Sequence, residues 1–530
     1  MNKLFVASIS TLATLLAFVF GLIILAMQYT GQIDLGVAAI LTVVVNFILW
    51  FVSPIVSDFI NRIFYKVRFL SEQELTAEHK EVFDIIKEVS TQYKFRFPKV
   101  GIIPDNNPTA FTYGSWRSNS RIILTQGIFH FLNPQEIRAV VAHELGHIVR
   151  RDFIIMMIAT TLIQILYEIY ANFSKTKDKK GDALKFLSIV AYVLYVIGVY
   201  LMYYLSRTRE YLADQFSTQY SRPEDLSNAL IKIAYGIVTV EDDNNSKKLL
   251  ESTRHLGIID VRKAKYYGVA SLVSDSNPDL ISEVMVFDKV SPWAFFIELG
   301  STHPLTGKRI QHLKEIANQR GDSFPYDIDR AQNRMNIDKS RLYREFIVGS
   351  FFVVIPIAIP LISIFTLPLV YIPAAFGISF LIRLIYRYPL GKNENTTIID
   401  EMRNPYASPL RGKNISLTGR VIGRGIPGYI FGEDMMYQDK TGIIFLNFNS
   451  IFGFIGNLFF SLKKLKTLIG VPSEVTGWFY RGMGSMIELK RLKTSDRTIN
   501  SHPIFWSFLS SMALIALSVL LYTYLGIYTM

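Results

Sequence analysis

The sequence predicts a mainly α-helical membrane protein that carries a helical soluble domain with a small β-sheet and, nearer its C-terminus, a small all-β domain. Three observations predict this. Half of the 530 residues are apolar, and the mean hydropathy is +0.26. Several apolar runs exceed the roughly 18 residues that let a helix cross a bilayer. The polar regions between the runs differ in pattern, one dominated by helical periodicity and the other by short β-type segments with spaced glycines.

The spans follow in order. Leu4 to Met27 carries no charge, and Leu35 to Val56 follows almost at once. The first run exceeds a signal-peptide core, so a retained two-span anchor over 1–57 is expected rather than a cleaved leader. Phe153 to Ile169 has only Glu168 charged, and Phe186 to Leu205 returns, a transmembrane hairpin over 153–205 inside a soluble domain that spans 58–340. Phe346 to Ile382 is too long for one span and is broken at Leu367-Pro368, which predicts a transmembrane or re-entrant hairpin over 341–390. Ile504 to Leu525 predicts a last helix over 504–530, making seven spans in all.

Lys and Arg near span ends set orientation. The loop from Gln28 to Asp34 has neither, whereas Arg62, Lys66 and Arg68 follow the second span. Arg150 and Arg151 precede the third, Arg207 and Arg209 follow the fourth, and Arg383, Arg387 and Lys392 follow the broken pair. All place the soluble domains in the cytoplasm of a multi-pass cell-membrane protein. Lys175, Lys177, Lys179 and Lys180 oppose this, because they fall in the loop assigned outside.

Within the soluble domain a helix is expected over Ala77–Tyr93, then a strand-rich piece from Phe97 to Leu124 with β signals at Val100–Ile103 and Arg121–Leu124. Asn133 as N-cap with Pro134 at the first helical position opens a helix. Helical patterns resume at Pro223–Tyr235 and Pro304–Asn318, with a polar loop at Glu241–Ser246 between them. The region 391–503 reads as a small antiparallel barrel or sandwich, OB-like. Inside it, Ile451 to Phe460 followed by Lys463, Lys464 and Lys466 is too short to span. It is either a membrane-interface segment or a buried core helix.

The helix opened by Asn133 contains His143-Glu144-Leu145-Gly146-His147. Residues i and i+4 share one helix face, so both imidazoles can reach one metal ion. Glu144 sits beside the first ligand, where a carboxylate can hold an attacking water and take its proton. The chain has no cysteine, which excludes thiolate ligands. Two histidines with a carboxylate suit zinc, and one Zn2+ per chain is expected. The best third ligand is Glu210. Asp214, again at i+4, can orient a ligating imidazole, or else is a surface carboxylate or an ion-pair partner of Arg207 or Arg209.

His143–His147 followed by Arg150-Arg151-Asp152, the segment from Ser206 to Asp214, and Ser301-Thr302-His303-Pro304 with Lys308-Arg309-Ile310 resemble the HtpX family of membrane zinc metalloproteases. That family is related to the CAAX prenyl-protein endopeptidases, and the resemblance covers roughly residues 75–320. It implies that His303 steadies the oxyanion or the substrate carbonyl and that Arg309 pairs with an acidic group and braces the site. It also implies a substrate-cradling strand at Thr109-Ala110-Phe111, where the family usually has Asn-Ala-Phe. Short members lack an extension like 391–503, so the resemblance is silent on its role.

The net charge of +12 raises nucleic-acid binding, but no basic stripe with interleaved aromatics occurs. The basic residues sit at span ends, where anionic lipid meets them. Two function classes remain. One is a zinc endopeptidase acting on polypeptides, which the resemblance makes misfolded or damaged membrane proteins cut at the cytoplasmic face, or substrates of CAAX-type processing. The other is an inactive membrane scaffold with a structural metal. The sequence leaves the oligomeric state open.

Overall fold

The computed structural model describes residues 14–15, 17–19, 21–22, 34–174, 181–239, 277–425, 432–482 and 484–528. The expected first span, the loop after it, the four lysines at 175–180 and the loop at 241–246 fall wholly or largely outside them. Among the described residues, six helices are long and apolar enough to cross a membrane. The chain divides into two compact units. One holds the described residues up to Gly236 and Glu298–Pro325, and the other those from Ile237 to Ile297 and from Tyr326 onward.

In the first unit, α1 (Asp34–Phe64) is apolar on nearly every side, with Leu49 and Ile55 more than half exposed, as a lipid-facing helix requires. The helix predicted over Ala77–Tyr93 is two. Glu72–Glu78 starts in a Ser71–Glu74 capping box and stops at His79, whose non-helical backbone (φ −144°, ψ 64°) breaks the run while its ring stacks on Phe129 at 3.8 Å. Helix α2 (Lys80–Gln92) then buries Val82, Ile85, Ile86 and Val89 along one stripe. Strands β1 (Arg68–Leu70), β2 (Lys99–Ile103), β3 (Ala110–Gly114) and β4 (Ser120–Thr125) form a sheet ordered β1-β2-β4-β3. β2 and β4 run parallel, and β3 returns antiparallel to β4 at one edge. One face carries Val67, Ile103, Phe111, Tyr113 and Ile123 in a single buried cluster.

Helix α3 (Pro134–Val149) opens as expected. The Asn133 side chain accepts from the Glu136 N–H, and Glu136 accepts from the Asn133 N–H, each at 2.9 Å. It ends where Arg151 takes a left-handed φ of 59°, and the chain turns a corner into α4 (Asp152–Phe173). Helix α5 (Gly181–Ser217) returns alongside, and Leu162, Leu166, Ala191 and Leu205 seal the pair. Helices α6 (Pro223–Thr239) and α7 (Thr306–Arg320) follow; α7 lies two residues later than its sequence pattern placed it.

In the second unit the predicted break at Leu367-Pro368 separates α8 (Lys339–Thr366), long enough to span, from α9 (Ile372–Arg387), which reaches spanning length together with the 3-10 turn Leu369–Tyr371 before it. The C-terminal region is the expected small barrel. Its strands are β5 (Glu394–Asn395), β6 (Lys413–Arg424), β7 (Met435–Gln438), β8 (Ile443–Asn447), β9 (Pro472–Arg481), β10 (Ser485–Lys493) and β11 (Thr498–Asn500). Pairing runs β6-β7-β8-β10-β9 and closes back on β6, with only β8 and β10 parallel inside the ring. A five-stranded Greek-key ring of this kind is the OB-like arrangement. A short helix, α10 (Gly453–Phe459), lies between β8 and β9, and α11 (Phe505–Tyr528) leaves the barrel as the last candidate span.

Candidate active site

Helix spacing brings His143 and His147 together, with ring centroids 4.9 Å apart. α5 delivers Glu210 to them. Its carboxylate lies 3.6 Å from His143 Nε2 and 3.6 Å from His147 Nε2, and one ligand atom from each of the three residues falls within 4.8 Å of the others. Both Nε2 atoms face this common point, while both Nδ1 atoms lie against carboxylates behind the rings. His143 Nδ1 lies 2.9 Å from Asp214, and His147 Nδ1 lies 2.6 Å from Asp152. Carboxylates behind ligating imidazoles fix the tautomer that a metal needs. His143 Nε2 and a Glu210 oxygen are buried without a protein hydrogen-bond partner. The donor set and its orphaned atoms fit one four-coordinate metal with an open position.

Electrostatics agree with that arrangement. Burial alone would lower the His143 pKa, but the Asp214 and Glu210 carboxylates beside it outweigh that and push the imidazole up to about 9. Two carboxylates therefore stand ready to neutralise positive charge at this point. Burial also raises the Glu144 carboxyl, against the opposing pull of His147, His143 and the Thr112 hydrogen bond. One Glu144 oxygen accepts from the Thr112 hydroxyl, and the other is buried without a protein partner. A carboxyl so placed is a stronger base than an exposed one, with one oxygen free to use.

The remaining predicted residues gather around Glu210. His303 Nε2 stands 3.8 Å from it, while His303 Nδ1 meets the Thr302 hydroxyl at 3.0 Å. Arg309 is buried and grips Asp214 through Nε at 2.9 Å and Nη2 at 2.6 Å, with Nη1 3.8 Å from Glu210. Asp214 is fully buried, so it is neither a surface carboxylate nor a partner of Arg207 or Arg209. Arg207 instead donates to the carbonyls of Glu298 and Ser301 at 2.8 and 2.7 Å, which pins the segment that carries His303. Arg209 pairs with Asp152 at 3.0 Å.

A cavity of about 680 Å3 opens on the site. Asn46 and Trp50 of α1, Phe153 and Met156 of α4, and Met202 and Tyr203 of α5 line it, together with Glu144, His147 and Glu210. Its strand wall is Thr112, Tyr113 and Gly114, the far end of β3, and Thr109, Ala110 and Phe111 are not part of the lining. Thr109 is spent on its neighbour: its N–H donates to the Thr125 hydroxyl at 2.8 Å, and its carbonyl accepts from the Thr125 N–H at 3.0 Å.

Three residues at this site went unseen in the sequence: Asp152, Arg209 as its partner, and Thr112. Asp152 follows His147 by five residues, off the i+4 rule, and only the left-handed corner at Arg151 swings it back. Thr112 is signalled by nothing but alternation within a five-residue strand.

A carboxylate poised beside a three-ligand metal cage, reached from between membrane helices, is what a membrane metalloprotease requires, and that is the class of this protein. The model for peptidase family M48 matches residues 76–317. A protease HtpX homologue of Syntrophobacter fumaroxidans is 31% identical over 47% of this chain and 87% of its own length. One of Methanothermobacter thermautotrophicus is 32% identical over 43% of this chain and 86% of its own. A crystal structure of S. mikatae Ste24p overlaps 59% of this chain and 67% of that one at 17% identity, but with a TM-score of 0.34 the superposition is too loose to build on. The chain belongs to peptidase family M48, among its HtpX-type proteases.

Proposed function

We propose that this chain is a zinc endopeptidase that cuts misfolded or damaged membrane proteins at the cytoplasmic face. The observation that supports this most directly is the cavity wall. A polypeptide segment lying in this cavity meets Trp50, Phe153, Met156 and Met202 as well as Glu144. Apolar segments are what a membrane-protein substrate offers such a wall.

The edge strand supports the same reading. The Thr109 carbonyl points to β4, so by antiparallel alternation the backbones of Ala110, Thr112 and Gly114 point to the other side. Among the described residues no strand covers that side. An extended substrate adds there as a strand. The family position that Thr109 occupies then shapes the sheet from behind, and Thr112 and Gly114 meet the substrate.

His143, His147 and Glu210 would hold the zinc, which would supply Lewis-acid chemistry there and make water acidic enough to attack near neutral pH. Glu144, anchored through one oxygen by Thr112, uses the other to take the proton of the attacking water. It then returns that proton to the leaving amine. In the tautomer whose Nδ1 accepts from the Thr302 hydroxyl, His303 carries its hydrogen on Nε2, which faces the site and can donate to a developing oxyanion. Asp214 and Asp152 keep both ligating rings turned inward, and Arg309 holds Asp214.

Purified wild-type and Glu144→Gln proteins, incubated with an unfolded membrane protein, test the reading. The variant is expected to keep its zinc and fold while cleavage falls by roughly 10^2 to 10^4-fold, the usual contribution of a general base. Equal, measurable rates would overturn the general-base role of Glu144, and no cleavage by either protein would leave the scaffold reading standing.

A further inference from the structure

The stretch between β8 and β9 has two faces with different surroundings. Phe460, Leu465 and Leu468 are buried and plug the end of the barrel, where Phe460 stacks on Phe448 at 3.8 Å. Phe452, Phe454 and Ile455 point the other way and are 74%, 78% and 76% exposed, joined by half-exposed Phe459 and Leu462. The alternative expected from sequence, a helix buried in the core, does not hold for α10, none of whose residues is buried. Five large apolar side chains clustered on one exposed face make a patch that soluble surfaces avoid unless something covers it.

The covering agent is identified by what stands next to the patch. His502 donates its N–H to the Asn449 carbonyl at 2.6 Å, tying the start of this stretch to the foot of α11. Gly453 packs so closely on Trp506 that a Cβ there would stand 3.3 Å from the indole nitrogen. Phe505 and Trp506 open the membrane-capable helix α11, and tryptophan at such a position marks the headgroup level. The patch therefore lies at the depth where α11 enters the bilayer. Lys463, Lys464 and Lys466 follow on the same stretch, all exposed and, among the described residues, without a carboxylate partner. Lys463 Nζ sits 4.5 Å from the Phe459 ring centre, so one end of the apolar face is edged with positive charge.

We propose that Phe452–Lys466 is a docking site for the anionic headgroup layer of the leaflet that α11 enters. The aromatic face enters the headgroup and acyl boundary, and the three lysines meet phosphate or carboxylate headgroups. Besides α9 and α11, the barrel is held by Arg481, which donates to the Val284 carbonyl at 2.8 Å. A headgroup contact at this stretch adds a hold on the face that looks at the membrane. A second copy of the chain is the rival occupant of an apolar patch, but it would not call for unpaired lysines beside a tryptophan at the bilayer level.

The chain has no cysteine, so a single Ile455→Cys in the full-length protein carries an environment-sensitive fluorophore without competing labels. The protein is reconstituted into phosphatidylcholine vesicles with and without phosphatidylglycerol. In anionic vesicles the expected result is quenching by bromine on lipid chains at a depth of about 5–10 Å, and protection from aqueous iodide. Lys463→Glu, Lys464→Glu and Lys466→Glu together are expected to shift docking toward water by on the order of a hundredfold. Iodide quenching in both vesicle types overturns the proposal. Lipid quenching that is equal in neutral and anionic vesicles and ignores the lysine changes overturns its headgroup specificity. Protection that grows with protein-to-lipid ratio, without lipid quenching, gives the patch to a second copy and also overturns it. Phe459→Cys, labelled in the same way, repeats the test if the first probe disturbs folding.

Discussion

The Thr112 hydroxyl holds one oxygen of Glu144 and leaves the other without a protein partner, so in the proposed mechanism a side chain outside the histidine motif sets how the base is aimed. A hydrogen bond to a charged group contributes roughly 1.5–3 kcal/mol. Thr112→Val keeps the shape and removes the hydroxyl, and kcat is expected to fall by about 10 to 100-fold with zinc content and KM nearly unchanged. Thr112→Ser restores most of the rate. A Val variant as active as wild type would show that Glu144 needs no such anchor. The histidine pair, Glu144 and the i+4 pair Glu210 and Asp214 were legible in sequence because helix periodicity alone places them. Thr112 and Asp152 were not, because one depends on strand register and the other on a single left-handed residue.

At the scale of elements, the site is the place where α3 and α5 come close enough to share a metal. Gly146 makes that approach possible. A Cβ on it would stand 3.2 Å from both Ala213 Cα and Phe216 Cβ, tighter than ordinary packing. The glycine between Glu144 and His147 is thus a packing residue whose neighbours on α5 flank Asp214. Gly146→Val is expected to push the helices apart, at a cost of roughly 1–3 kcal/mol of overpacking, and to leave purified protein with substoichiometric zinc. Gly146→Ala should be milder on both counts. Full zinc occupancy in the Val variant, measured by metal analysis, would mean that α5 approaches with slack to spare. Elements with strong periodicity or long apolar runs were read to within a few residues. The break at His79 was not, whereas β3 falls within the expected strand-rich piece and on the strand that the resemblance placed at Thr109-Ala110-Phe111.

At the scale of the whole molecule, helix lengths connect the site to the bilayer. α4 has 22 residues, which at 1.5 Å each is about 33 Å, close to the hydrocarbon thickness of about 30 Å. With α4 crossing the bilayer, the His143–His147–Glu210 group, one corner away from its start at Asp152, would lie just outside the membrane surface. α5 has 37 residues, well beyond the roughly 20 a span needs, and its surplus carries Glu210 and Asp214 back to that surface. The two helices therefore leave and return on one side whichever side that is. Charge chooses the side: Arg62, Arg150, Arg207 and Arg387 favour the cytoplasm, and only the lysines at 175–180 oppose it. The positive-inside rule sums over loops, so one short contrary loop is outvoted. Single cysteines at exposed Ser174, which follows α4, and at exposed Ser323, which follows α7, read this directly with a membrane-impermeant thiol reagent on intact cells. Ser174→Cys is expected to label at once, and Ser323→Cys only after permeabilisation. The reverse pattern would turn the protease around and move its substrates to the outer face. Labelling of neither would mean that the turn after α4 stays within the membrane, so that the pair enters and leaves on one side without crossing.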